Sequence, residues 1–146
     1  MSKINLGRVP LGGLVAGLVI SMGNFLINRV VLRDAMNAEF SRLHVAEPGN
    51  DFIVKAVVMT FILGIVTVYL YAAIRPRFGA GLKTALCAGL MAWFFAILYA
   101  GGVLGMVFGM PLDLIVKRVG LGLIVYAIGA VAGAWLYKEE EPPHSV

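Results

Sequence analysis

The fold is decided by Ala56–Ile74, AVVMTFILGIVTVYLYAAI, a run of 19 residues without a charged side chain. A helix rises about 1.5 Å per residue, so this run can cross the roughly 30 Å hydrocarbon core of a bilayer once. Three further uncharged runs of similar or greater length are Val9–Asn28, Thr84–Leu112 and Val119–Tyr137. Because backbone polar groups in lipid must be paired within their own segment, each run is predicted to be a helix. The sequence therefore predicts an all-α integral membrane protein with four transmembrane helices.

The composition supports this prediction. The 146 residues are 60% hydrophobic and 14% charged, whereas a soluble domain is usually about 45–50% apolar and about 25% charged. This balance excludes a soluble enzyme and a nucleic-acid-binding domain. The net charge of +4 is interpreted as a feature of the membrane surface. We expect membrane lipids as partners, together with other integral membrane subunits or further copies of the chain.

We predict a single four-helix transmembrane domain over residues 1–138 and a polar tail over 139–146. The expected helices cover about residues 9–32, 52–74, 83–110 and 114–137. The third run is longer than one crossing requires. Gly101-Gly102 and Pro111 in this run predict a tilt, a bend or a last turn outside the lipid.

Residues 33–50, between the first two predicted helices, contain a short amphipathic pattern. Apolar residues recur at helical spacing and charged residues take the positions between them, which predicts a helix lying in the membrane interface. Pro48-Gly49 is expected to end it. The alternative interpretation is that this segment extends the first transmembrane helix into water.

The two halves of the chain carry a similar motif. Asp51–Val57, DFIVKAV, and Asp113–Val119, DLIVKRV, agree at five of seven positions. We interpret the chain as two hairpins of the same orientation, arising either by duplication or because each interface needs the same anchors. In the second interpretation Asp caps the helix, Lys four residues on pairs with it, and aromatic residues anchor the far end. The predicted interfacial anchors are Asp51, Lys55, Asp113, Lys117, Trp135 and Tyr137.

The loop from Arg75 to Lys83 carries three basic residues and no acidic one. By the positive-inside rule this loop favours the cytoplasm. Both termini are then predicted to be cytoplasmic.

Small residues at four-residue spacing are predicted to form seams between helices, because they let helix backbones approach closely in lipid. The predicted packing residues are Gly13, Gly17, Ser21, Gly101, Gly105, Gly109, Gly129 and Gly133. Four helices need fewer seams than this pattern supplies, so a surplus surface for a neighbouring subunit is expected. Trp93, Phe94, Phe95 and Tyr99 are predicted to lie in the bundle core.

Polar side chains within the predicted spans are few. Long basic side chains are expected at the helix ends, where they reach the head groups: Arg29, Lys55, Lys117 and Arg118. Asn24 and Asn28 lie four residues apart, beside Arg29. One interpretation is an interhelical hydrogen bond, and the other is a small polar site near one interface for a lipid head group or a quinone carbonyl. No Asp or Glu occurs in the four runs, both histidines lie outside them, and Cys87 is single. We therefore predict no catalytic residue, metal site or cofactor.

Two stretches resemble small uncharacterised bacterial inner-membrane proteins with four predicted spans. These are Leu11–Gly17, LGGLVAG, followed by Asn24 and Asn28, and the segment Tyr71–Gly79, YAAIRPRFG. That family has no assigned activity. The resemblance implies a bacterial source, and with it the inner membrane.

The function predicted first is a non-catalytic accessory or scaffold subunit of a larger integral membrane complex, for example a respiratory or photosynthetic electron-transfer complex. The alternative is a stand-alone carrier or binder of a small or lipidic molecule, such as a quinone or a lipid, at the Asn-lined site.

Overall fold

Long apolar helices make up most of the computed structural model, which describes residues 4–138. The predicted polar tail, 139–146, lies outside the described residues. The α-helices are α1 (Arg8–Leu26), α2 (Arg33–Arg42), α3 (Asn50–Phe78), α4 (Leu82–Trp93), α5 (Gly102–Val107) and α6 (Leu112–Leu136). A first π-helix, Ile27–Val31, extends α1, and a second π-helix, Phe94–Gly101, joins α4 to α5.

Four continuous helices are long and apolar enough to cross a membrane. They are Arg8–Val31, Asn50–Phe78, Leu82–Val107 and Leu112–Leu136. The prediction of an all-helical chain with four such helices is confirmed for the described residues. The chain is accordingly a multi-pass membrane protein.

The helix α3 continues four residues beyond its expected end, to Phe78. Arg75 and Arg77 end the apolar run, but they do not end the helix, because charged side chains at a membrane surface are compatible with helical backbone. Pro76 lies in the last turn. The helix stops where Gly79, at φ +83°, donates its N–H to the carbonyl of Arg75 at 2.8 Å.

The expected irregularity in the third span occurs earlier than Gly101-Gly102. The backbone widens into a π-helix from Phe94, while Gly101 and Gly102 keep helical torsion angles. A π-helical turn holds more residues than an α-helical turn, so it changes the direction in which the following side chains point. Phe94, Phe95 and Tyr99 are accordingly exposed, which corrects the prediction that they lie in the core.

The helix α1 lies against both α3 and α6, and glycine allows backbone contact on both sides. A Cβ atom added at Gly64 of α3 would lie 2.8 Å from the Cα atom of Gly17. One added at Gly133 of α6 would lie 2.7 Å from the carbonyl oxygen of Gly12. In α6, Gly129 faces Ile20 of α1 in the same way. Each of these small residues is therefore in contact with another helix of the same chain.

The other face of α6 packs against α4 and α5. A Cβ atom at Gly89 would lie 2.7 Å from that of Ala130, and one at Gly105 would lie 3.1 Å from the side chain of Ile115. The third span does not, however, form the predicted continuous seam. Gly101 faces only the carbonyl of Ala96 in its own helix, and Gly109 follows the helix end at φ +64°. The seam is interrupted because Gly101 meets no neighbouring helix and because α5 ends at Val107, before Gly109.

Candidate functional site

Polar side chains of three helices point into the apolar bundle near its α2 end. The side chain of Asn24 on α1 interacts with the hydroxyl of Tyr126 on α6, which is 3% exposed. On α4, the indole nitrogen of Trp93 donates to the carbonyl oxygen of Val119 at 2.9 Å. Both contacts join helices across the bundle, as polar side chains commonly do in membrane proteins.

Ser21, one turn from Asn24 on α1, has a buried hydroxyl without a hydrogen-bond partner in the described residues. A buried hydroxyl without a partner costs about 1–3 kcal/mol by protein mutational data. The cost is removed when a water molecule or a ligand supplies an acceptor or a donor. Ser21 is thus a polar group that the protein itself leaves unsatisfied.

Arg118 is the charged member of this region. It lies six residues inside α6, or about 9 Å along the axis from Leu112. The spacing of four residues places it on the same helix face as Leu114, Gly122 and Tyr126, all of which are buried. Its side chain is half-buried and, among the described residues, it makes no hydrogen bond or ion pair. The sequence predicts that Arg118 lies at a helix end and reaches the head groups, and the structure places it near the start of α6 on the face that carries Leu114 and Tyr126.

The Arg118 cleft is a small space in front of this side chain, between α2, the second π-helix and α6. Met36 of α2 and Ile97 and Gly101 of the second π-helix line it, together with Arg118 and apolar side chains near the start of α6. The volume of its enclosed part is about 20 Å³, which is room for about one water molecule. The cleft is partly open, so a larger molecule would lie across its mouth.

The predicted site of Asn24, Asn28 and Arg29 does not come together as a unit. The side-chain nitrogen of Asn28 donates to the backbone oxygen of Asn24 at 2.7 Å. Arg29 turns to the loop after α2, where it donates to the carbonyl of Pro48 at 3.0 Å and lies 3.7 Å from the carboxylate of Glu47. The side chain of Asn28 is thus hydrogen-bonded within its own span, and Arg29 has an acidic partner outside the bundle. Of the three residues, only Asn24 reaches the interior cluster.

The two repeated motifs differ in their contacts. Lys117 pairs with Asp113 at 3.1 Å, whereas no ion pair between Lys55 and Asp51 forms in the described chain. Neither acid caps its helix, because the N-cap positions are Gly49 and Pro111 and no side chain bonds there. Both motifs therefore begin a helix at the same position, and they differ in the ion pair between Asp and Lys.

The two predicted aromatic anchors differ in their burial. Trp135 is 85% exposed, whereas Tyr137 is 4% exposed. The hydroxyl of Tyr137 accepts a hydrogen bond from the backbone N–H of Asn5 at 3.0 Å, and its ring meets Tyr71 edge to face at 6.0 Å. Tyr137 is thus a packing residue at the end of the bundle opposite α2.

One ion pair that the sequence did not predict joins α2 to the end of the third span. The guanidinium of Arg42 donates to the carboxylate of Glu39 at 2.8 and 3.0 Å, and to the carbonyl oxygen of Phe108 at 2.8 Å. The Glu39 side chain is 7% exposed. The spacing of three residues on one helix could have indicated the pair. Its link to Phe108, 66 residues away, left no signal in the sequence.

Comparison with known proteins adds no assignment: no family model matches the chain, no curated protein matches it and no solved structure matches it. Among residues 4–138, no group of three or more His, Cys, Asp or Glu side chains is placed to hold a metal ion.

Proposed function

We propose that this chain is a non-catalytic protein of the bacterial inner membrane that binds a lipidic molecule at the mouth of the Arg118 cleft. In this proposal both termini are cytoplasmic, the two hairpins have the same orientation and α2 lies in the interface. The observation that carries the proposal is the Arg118 cleft, where a half-buried guanidinium has no acidic partner in the described chain.

The polar contacts of the bundle divide into two classes, and only one of them supports binding. The Trp93–Val119 hydrogen bond and the Asn24–Tyr126 contact lie within the protein and involve no ligand. Arg118 makes no hydrogen bond or ion pair with the described residues, and a charged group in an apolar setting is expensive unless something satisfies it. A lipidic molecule with a polar head would supply the missing contacts while its apolar part stays in the membrane.

The test uses Gly101, which lines the cleft. A Cβ atom there meets no neighbouring helix, so the side chain of Gly101→Leu starts without a clash and is expected to occupy the cleft and its mouth. We expect the wild-type protein, purified in mild detergent, to retain about one small lipidic molecule per chain by native mass spectrometry, and Gly101→Leu to lose it. The matched control is Gly120→Leu, an exposed position on α6 with nothing within 4 Å, which should retain the molecule. Equal retention by both variants would contradict the proposal.

The accessory-subunit function stays as a second candidate because of one observation. In the most apolar window of Leu82–Val107, 17% of the residues are buried inside the bundle, against 28–33% in the other three spans. A neighbouring subunit or a second copy would cover this face as well as lipid does. Extraction of native membranes in mild detergent, followed by native electrophoresis and mass spectrometry, tests it. Migration in a large stoichiometric assembly would support this candidate, and migration as a monomer would contradict it.

A further inference from the structure

The charges at the α2 end of the bundle are nearly balanced, with one cation in excess. The basic residues at this end are Arg29, Arg33, Arg42, Lys55, Lys117 and Arg118, and the acidic residues are Asp34, Glu39, Glu47, Asp51 and Asp113. Three bases, at positions 29, 42 and 117, are paired with acids. Arg118 is the base that combines partial burial with no ion pair in the described chain. Charge complementarity therefore points to an anionic group from outside the protein.

We propose that Arg118 binds the phosphate of an anionic membrane phospholipid whose head group lies across the mouth of the Arg118 cleft. This inference rests on the proposed function and names the chemistry of the ligand. A guanidinium presents several N–H donors in a planar fork, which matches two oxygens of a phosphate at once. Arg118 is the last charged residue before the uncharged run Val119–Tyr137, and such a boundary is where lipid head groups are expected to give way to acyl chains.

The shape of the cleft favours a phospholipid over a free anion. The enclosed space holds about one water molecule, and its walls beside Arg118 are apolar, including Met36 and Ile97. A free phosphate would lose most of its hydration there and gain one charged partner, which is an unfavourable exchange. A phospholipid leaves the rest of its head group in the interface and keeps its acyl chains in the bilayer. It therefore gains the ion pair at a smaller cost.

The experiment compares two lipids that have the same acyl chains and differ in head-group charge. The full-length protein in detergent is titrated with dioleoylphosphatidylglycerol and, separately, with dioleoylphosphatidylcholine, and bound lipid is counted by native mass spectrometry. Both lipids carry a phosphodiester, but in phosphatidylcholine the choline cation neutralises its charge and competes with Arg118 for it. We therefore expect the wild-type protein to bind the anionic lipid at least tenfold more tightly, about the size of a charge-assisted contact. Arg118→Gln should remove this preference, and Arg118→Lys should keep only part of it because a lysine supplies a point charge without the fork.

The matched control is Lys117→Gln, which removes a neighbouring positive charge that is exposed and already paired with Asp113. It should keep the full preference for the anionic lipid. If Arg118→Gln does not fold, as judged by circular dichroism, the comparison of Arg118→Lys with the wild type decides. An unchanged preference in Arg118→Lys would then overturn the inference.

Two other outcomes separate this inference from the proposed function. Binding of both lipids with equal affinity would overturn the assignment of an anionic head group and leave the lipid-binding function standing. Failure to bind either lipid, together with equal retention by the cleft variants, would overturn both. Inorganic phosphate at millimolar concentration is the third probe. If it displaces the lipid, the site binds a free anion as well, and the inference that its shape selects a phospholipid is overturned.

Discussion

Gly64 of α3 gives the sharpest test of the packing, because one added methyl group would meet backbone rather than side chains. The Cβ atom of Gly64→Ala would overlap the carbonyl oxygen of Gly13 and lie 2.8 Å from the Cα atom of Gly17. Ordinary contact for a Cβ atom begins near 3.4 Å. Backbone atoms of α1 cannot rotate away, so the two helices must separate by at least about 0.6 Å locally.

The expected cost follows from this overlap. Overpacking a well-packed interior costs about 1–3 kcal/mol, and replacing glycine by alanine in a helix returns up to about 1 kcal/mol. We expect Gly64→Ala to lower the free energy of unfolding by about 2 kcal/mol, since separating the helices also weakens dispersion contacts along the whole seam. Because each 1.4 kcal/mol is about a factor of ten, the unfolding equilibrium constant should rise by more than about tenfold.

The assay is reversible unfolding in mixed micelles by sodium dodecyl sulfate, followed by far-ultraviolet circular dichroism. The control is Gly120→Ala, whose Cβ atom would meet nothing within 4 Å. That variant should be as stable as the wild type, or more stable by up to about 1 kcal/mol. If Gly64→Ala proves no less stable than Gly120→Ala, then α1 and α3 do not pack backbone to backbone and the reasoning is wrong.

Three further variants test individual contacts by the same unfolding assay. Arg42→Ala leaves the buried carboxylate of Glu39 unpaired and should lower the free energy of unfolding by about 2 kcal/mol. Adding Glu39→Gln to Arg42→Ala should recover part of this loss. If Arg42→Ala is as stable as the wild type, the ion pair does not hold α2 in place. Tyr137→Phe removes the acceptor for the N–H of Asn5 and should cost about 1 kcal/mol, while Trp135→Phe, at an exposed position, should leave stability unchanged. Trp93→Phe removes the hydrogen bond from α4 to α6 and should lower the free energy of unfolding by about 1 kcal/mol. A decrease no larger than that of Trp135→Phe would argue against this hydrogen bond.

The polar interior could be predicted only in part. Asn24 was identified as a functional candidate because an amide in a span needs a partner, and it does contact Tyr126. Arg29 was grouped with it because of sequence proximity, yet Arg29 bonds to the loop at Pro48. Arg118 was assigned to the helix end, since distance along the chain does not reveal the direction of a side chain. The site that the structure supports is therefore centred on a residue that the sequence reasoning placed at the membrane surface.

The sequence by itself determined that the chain is helical and that four segments are apolar enough to cross a membrane. Both are local properties, because the length and apolarity of a run such as Ala56–Ile74 depend on no other part of the chain. The sequence also marked the small residues at which helices approach closely, such as Gly13 and Gly17.

Only the tertiary structure decided which helices those residues bring together and which side of each helix faces inward. Gly17 meets Gly64, and the α6 face that carries Arg118 turns toward the second π-helix. These outcomes depend on the register between helices far apart in sequence, and one extra residue in a π-helical turn changes that register. The Arg118 cleft exists because of that register, since Met36, Gly101 and Arg118 lie in three separate segments of the chain that come together only when the bundle is packed.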